Sequence, residues 1–304
     1  MSSEPSVVLV STPNHDEARL KRPIMRLASR LPLILCLLLV TSLILASALA
    51  TLVSPHDSNR THILSSLSRP SGSHLLGTDE VGRDVFSRVL VGGRISLSVG
   101  LSAVALAVAI GIPLGLFCGY VEGIGLVVSI VSAVIMRTLD AIQSFPGLML
   151  ALAISAVLGA GTLTVVVAIA VISVPAYGRV VRAQTLAIRH ADYVVAAASY
   201  GAGDVRMVLR HIWPGVMPIV LVQASLGIGF AMITEASLSF LGLGVQPPVP
   251  SWGSMVGRAY SQVSVQPWSA LGPGLALCVS VVSFNLLGDQ LQALTDRRRR
   301  VGSI

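Results

Sequence analysis

Polar and apolar positions in this 304-residue chain are segregated into long blocks. Five runs, 31–53, 95–121, 141–178, 215–234 and 270–288, contain no Asp, Glu, Lys or Arg. A helix needs about 20 apolar residues to cross roughly 30 Å of hydrocarbon. Four runs fit one crossing each, and 141–178 fits two, divided at Gly159, Ala160 and Gly161. The pattern predicts an all-α integral membrane fold with six spans at 31–53, 94–119, 132–158, 161–178, 215–240 and 270–289. The start of the third has two readings. Residues 125–136 are either embedded or lie at the surface, with Arg137 marking the interface. The expected organisation is a tail (1–30), a first span with an outer segment (31–93), a core of five spans (94–291) holding a polar loop at 179–214, and a second tail (292–304).

Composition agrees. The chain is 53% hydrophobic and only 12% charged, against about a quarter charged in soluble domains. With the first tail inside, 15 of the 21 Lys and Arg residues fall on the inner side. The positive-inside rule then places both termini in the cytoplasm. Five arginines remain in the first outer segment, interspersed with Asp57, Asp79, Glu80 and Asp84. The basic pI near 10.0 therefore reads as topology. No basic soluble face with aromatic partners points to nucleic acid. The first run follows basic residues and ends in a stretch, 46–50, that resembles a signal-peptidase site. It is longer than a signal core, so an uncleaved span is expected.

Several chemistries are excluded. The one lysine, Lys21, follows no glycine-rich loop, so no phosphate-binding loop exists to hydrolyse ATP. Cys36, Cys118 and Cys278 lie far apart within spans and read as buried structural thiols, with no metal-ligand spacing. All six histidines fall outside the spans. No catalytic or metal site is expected, and Asp79, Glu80 and Asp84 among Arg83 and Arg88 read as a structured interfacial turn.

Gly111, Gly115 and Gly119 repeat at four-residue spacing on one helix face, as a packing seam with another span or subunit requires. Arg137 and Asp140 are placed to pair along a helix. Glu235, near the end of span five, is read as a cap or subunit contact ahead of a substrate group. No internal repeat supports an inverted-repeat secondary transporter working without an ATPase.

The loop 179–214 is basic and helix-forming. Residues 193–200 are alanine-rich, Gly201 and Gly203 interrupt them, and Asp204 is placed to cap a second helix. There Val205, Val208, Leu209 and Ile212 form an apolar stripe, Arg206 and Arg210 lie on another face, and Pro214 is expected to end the helix. Such a helix either lies on lipid or docks into a groove of a cytoplasmic partner.

This loop resembles the "EAA" loop of ABC-importer permeases. Ala196, Ala197, Gly201 and Pro214 keep its register, while Val195, His211 and Trp213 depart from it. Segments 74–100, 233–256 and 284–296 resemble the dipeptide/oligopeptide/nickel permease family, and specifically its C-type subunit. The likeness runs from about residue 24 to 296. It implies an importer-type permease fold with a cytoplasmic coupling helix, in a non-catalytic subunit of the cytoplasmic membrane. The implied partners are a B-type permease, two ABC ATPases that bind ATP and Mg, and an extracytoplasmic binding protein. The implied cargo is a dipeptide or oligopeptide, with nickel or a metal complex as the alternative. Ala196, Ala197, Gly201, Asp204, Arg206, Arg210 and His211 are the implied ATPase contact region.

Overall fold

The computed structural model describes residues 15–301, with side chains from 31 to 295. Among these residues there is no strand, only an isolated bridge between Thr78 and Asp84. Residues 1–14, part of the expected first tail, lie outside the described residues, as do 302–304. Helices α1 (His15–Ala48) and α2 (Ala50–Val53) come first, followed by an irregular segment with a 3₁₀ turn at Ile63–Ser65. The bundle then comprises α3 (Val85–Tyr120), α4 (Leu126–Ser144), α5 (Gly147–Leu158) and α6 (Thr162–Arg189). Next come α7 (Asp192–Ser199), α8 (Asp204–Arg206), a π-helical turn (Met207–Ile212) and α9 (Trp213–Phe240). Amphipathic α10 (Trp252–Tyr260) and α11 (Trp268–Val301) complete the chain.

Six helical stretches are long and apolar enough to cross a membrane, namely Leu31–Ala48, Val85–Tyr120, Leu126–Ser144, Thr162–Arg189, Asp204–Phe240 and Trp268–Thr295. Their bounds differ from the uncharged runs for local reasons. Helix α3 begins ten residues earlier than the run 95–121, because Asp84 caps it by accepting from the Ser87 backbone N–H at 2.8 Å. At about 1.5 Å per residue its 36 residues reach roughly 54 Å, well beyond the hydrocarbon. The third crossing is broken between Ser144 and Gly147, because Pro146 holds Phe145 in an extended conformation. Helix α4 thus begins at Leu126, and α5 is a separate short piece. Helices α1 and α11 both extend into the segments expected as tails.

Helices α3 and α6 form the centre. At Gly111 an added Cβ would lie 2.7 Å from the Tyr177 Cβ, at Gly115 2.5 Å from the Gly178 carbonyl oxygen, and at Gly119 2.7 Å from the Thr185 Cβ. The seam therefore packs against α6 of the same chain, with backbones approaching where no side chain intervenes. Val99, Ala103, Ala107, Ile169 and Tyr177 continue the contact as the main core. Of the three cysteines only Cys118 is buried, whereas Cys278 lies on the outer surface of α11 and Cys36 is half-buried.

Candidate partner-docking site

One end of the bundle is built by residues 189–213. Helix α7 stops at Ser199, and Gly201 turns the chain with φ +79°, a left-handed conformation natural to glycine. Gly203 is the N-cap of α8, which corrects the expectation that Asp204 caps it. The Asp204 carboxylate instead accepts from the Tyr120 hydroxyl at 2.7 Å, at the end of α3. Nor does Pro214 end the helix. Proline lacks an N–H and its ring presses on the carbonyl four residues back. The chain widens into the π turn Met207–Ile212 and continues without a break into α9.

The π turn also redistributes the expected stripe. Ile212 and Met207 are buried with Val194, Leu116, Val181 and Val216 in a second core cluster. Val208 is only partly buried, and Val205 (73% exposed) and Leu209 (61%) face outward. Tyr200 is 92% exposed and Val195 is also on the surface. This outward apolar surface is flanked by Arg206 and Arg210, both exposed. Ala196 and Gly201 are exposed as well, while Ala197 and His211 are half-buried.

The segment is braced from behind. The Tyr193 hydroxyl donates to the His211 carbonyl at 3.2 Å. Arg182 pairs with Glu122 at 2.9 Å, and Arg189 donates to the Glu122 backbone carbonyl at 2.6 Å. Tyr120, Glu122, Tyr193 and Tyr200 were not foreseen as part of this site. Their signal was available: tyrosines and charges immediately flanking apolar runs mark helix ends at an interface.

The opposite end carries a denser polar network. Asp79 accepts from Arg83 Nε at 2.7 Å and lies 3.7 Å from Arg88 Nε, while Glu80 faces Arg83 and Arg258. Arg88, almost fully buried, donates to the Ser58 carbonyl at 2.8 Å. Burial pushes the Arg258 guanidinium below its ordinary pKa, with Glu80 acting against the shift; arginine stays charged throughout the useful range. Glu235 is fully buried and accepts from Ser96 on α3 (3.2 Å) and Ser239 on α9 (2.7 Å). The Ser96 hydroxyl in turn accepts from the Trp252 backbone N–H at 3.1 Å, joining α10. Of the cap or subunit contact expected for Glu235, its full burial leaves no surface for the second, and its role is an internal tie between α3 and α9. Asp140 likewise pairs with Arg179 on α6 instead of Arg137.

Neither end assembles a nucleophile with a base among the described residues. What is built is a bundle with one rigid, outward, partly apolar face and one end locked by charges and hydroxyls. Residues 111–301 match the family described as binding-protein-dependent transport system inner membrane component. The chain belongs to this family. It is a multi-pass permease subunit of an ABC importer, of the dipeptide/oligopeptide/nickel type. The permease is 44% identical to the glutathione transport system permease protein GsiD of Pectobacterium atrosepticum, over 75% of this chain and 73% of that one. It is 41% identical to GsiD of Escherichia coli O6:K15:H31, over 85% and 84%. In fold it resembles a chain of the MetNI methionine ABC transporter in an inward-facing conformation, with a TM-score of 0.57 and 18% identity over 68% of this chain and 95% of that one. As a permease it is non-catalytic, and ATP hydrolysis belongs to partner ATPases. Membership also implies a substrate-binding protein and a second permease.

Proposed function

We propose that this permease carries short peptides inward, in a heterodimer with a B-type permease, driven by two ATPases that seat on the face formed by residues 192–212. The observation that carries the reading is the combination of that face's two sides. Outward it presents Tyr200, Val205 and Leu209 with Arg206 and Arg210, a mixed surface suited to a protein groove. Inward it is fixed to α3 by the Tyr120–Asp204 bond, and to α3 and α6 by Val194, Met207 and Ile212, which are buried with Leu116 and Val181. A surface held so stiffly transmits an ATPase movement to the spans as a rigid body. Ala196, Ala197, Gly201, Asp204 and His211 shape it. Glutathione, named for the GsiD relatives, is itself a small peptide, which supports a peptide cargo. The distribution of Lys and Arg supports cytoplasmic termini, with the Asp84 end of the bundle outside.

The test is purification in mild detergent, identification of the co-purifying chains, and reconstitution in liposomes with the binding protein. ATP-dependent uptake of short peptides is expected. Uptake of Ni²⁺ but not peptide would overturn the cargo. A lone chain that transports without an ATPase would overturn the docking role.

A further inference from the structure

Three residues far from the docking face come together at the start of α3. His56 follows α2, His74 lies in the turn leading to Gly77, and Asp84 is the N-cap of α3. Their ligand-type atoms all lie within 4.8 Å of one another. We propose that His56, His74 and Asp84 form a binding site for one divalent transition-metal ion, with Zn²⁺ the best match, that clips the segment after α2 to the head of α3.

The geometry is close to what such an ion needs. With ligand bonds of about 2.1 Å and tetrahedral angles, neighbouring ligand atoms stand about 3.4 Å apart. The His74 Nδ1 to Asp84 Oδ1 distance is 2.9 Å, and the His56 Nδ1 to Asp84 Oδ2 distance is 3.8 Å. These two spacings bracket the required value, and since others in the group extend up to 4.8 Å, the imidazoles draw together on the ion to share one centre. The two imidazoles lie nearly alongside each other, with centroids 4.8 Å apart. Two imidazole nitrogens and a carboxylate oxygen form a donor set that suits zinc and neighbouring borderline metals, and is a poor set for Ca²⁺ or Mg²⁺.

The ligands are held from behind. The His56 backbone N–H donates to the Ser87 hydroxyl at 3.2 Å, and its carbonyl accepts from the Ser54 hydroxyl at 2.7 Å. The His74 N–H donates to the Ser71 hydroxyl at 3.2 Å. Asp84 Oδ2 accepts from the Ser87 N–H, which fixes the carboxylate, while Oδ1 shares a hydrogen bond with His74 Nδ1 that the ion would replace. Asp84 is also a buried carboxylate without an arginine. Arg83 and Arg88, its neighbours in sequence, are directed to Asp79, so the side chains that face Asp84 are the two histidines. Access is graded, since the side chains of His56, His74 and Asp84 are 42%, 22% and 2% exposed. An ion enters past His56, and the open side leaves a position for water. Nothing in the spacing of these residues suggested a metal site; the turn after α2 creates it.

The experiment uses the detergent-purified complex, stripped with a chelator and titrated with Zn²⁺ by calorimetry. One saturable site per permease is expected. His56→Ala and His74→Ala each remove a ligand and should weaken it by more than the roughly 10–100-fold that loss of a ligand's hydrogen-bond partner costs, while His62→Ala leaves it unchanged. Zn²⁺ should also raise the thermal unfolding temperature of the parent but not of His56→Ala. If His74→Ala does not fold, the unmodified complex loaded with Co²⁺ supplies the second measurement, as tetrahedral visible bands with nitrogen and oxygen ligands. No saturable binding, or binding undiminished in His56→Ala, or sulfur ligation of Co²⁺, each overturns the site.

Discussion

The phenol of Tyr120, the last residue of α3, donates to the carboxylate of Asp204, the first residue of α8, at 2.7 Å. This bond ties the outward face of residues 192–212 to the helix at the centre of the bundle. Tyr120→Phe removes the hydroxyl and keeps the ring. The expected stability loss is small, about 1 kcal/mol, because the pair is partly solvated. The expected functional loss is larger in kind: ATPase activity persists while its stimulation by substrate-loaded binding protein falls. Equal stimulation in Tyr120→Phe and parent would remove the bracing role.

Gly201 is a sharper test of the same face. Its φ of +79° is unfavourable for a residue with a Cβ, yet an added Cβ would meet nothing within 4 Å. Backbone strain, about 1–2 kcal/mol for most residues and less for Asn and Asp, is therefore the main consequence for stability. Gly201→Asp, which adds a charge to this exposed face, should assemble in the membrane and hydrolyse ATP without uptake. Gly201→Asn, which shares its tolerance of this conformation but is neutral, should retain most uptake. The two uptake rates measured side by side decide the matter.

Val195 stands where the related loops carry glutamate, and it is on the surface. Val195→Glu is expected to leave the melting temperature within a degree or two and uptake within about twofold, since exposed substitutions usually fall within 0.5 kcal/mol. A severe loss of uptake would place an acidic group of the partner ATPase against this position.

The glycine seam predicts the opposite kind of failure. Gly115→Val introduces a Cβ 2.5 Å from the Gly178 carbonyl oxygen and 2.7 Å from the Val181 Cβ. Neither atom can move without separating α3 from α6, and overpacking of this kind costs about 1–3 kcal/mol or more. The expected outcome is poor membrane yield and a lowered melting temperature, not folded but uncoupled protein.

At the other end, Glu235→Ala strips the acceptor from Ser96 and Ser239 inside the bundle. Leaving two buried hydroxyls short of a partner, with a cavity, costs about 2–4 kcal/mol. Glu235→Gln keeps an acceptor and should fall between the variant and the parent in thermal melts of the purified complex.

The spans were legible because uncharged length is a direct record of hydrocarbon thickness, and the α3 seam because four-residue spacing keeps glycines on one face. What misled was local. Pro214 reads as a stop, yet its missing hydrogen bond is absorbed by the π turn, and the expected single stripe is divided, with Val205 and Leu209 on the surface and Ile212 buried. Asp204 reads as a cap, but its carboxylate goes to Tyr120, 84 residues earlier. Asp140 reads as the partner of Arg137, but Arg179 on a neighbouring helix takes it. Each of these is a contest between a near partner and a distant one, and sequence spacing records only the near partner. The clustering of His56, His74 and Asp84 is of the same sort, set by the path of a loop.

The unbroken run from Asp204 through the π turn to Phe240 has a mechanical meaning. It is 37 residues long, so at about 1.5 Å per residue it is a rod of roughly 55 Å. One end carries the exposed Val205 and Leu209, and the other carries Glu235 with its hold on Ser96 and, through it, α10. Such a rod works as a lever whose load is the far-side latch. On the proposed docking, a push of a few ångströms at that face would not be dissipated in a loop, but would arrive as strain on one buried carboxylate.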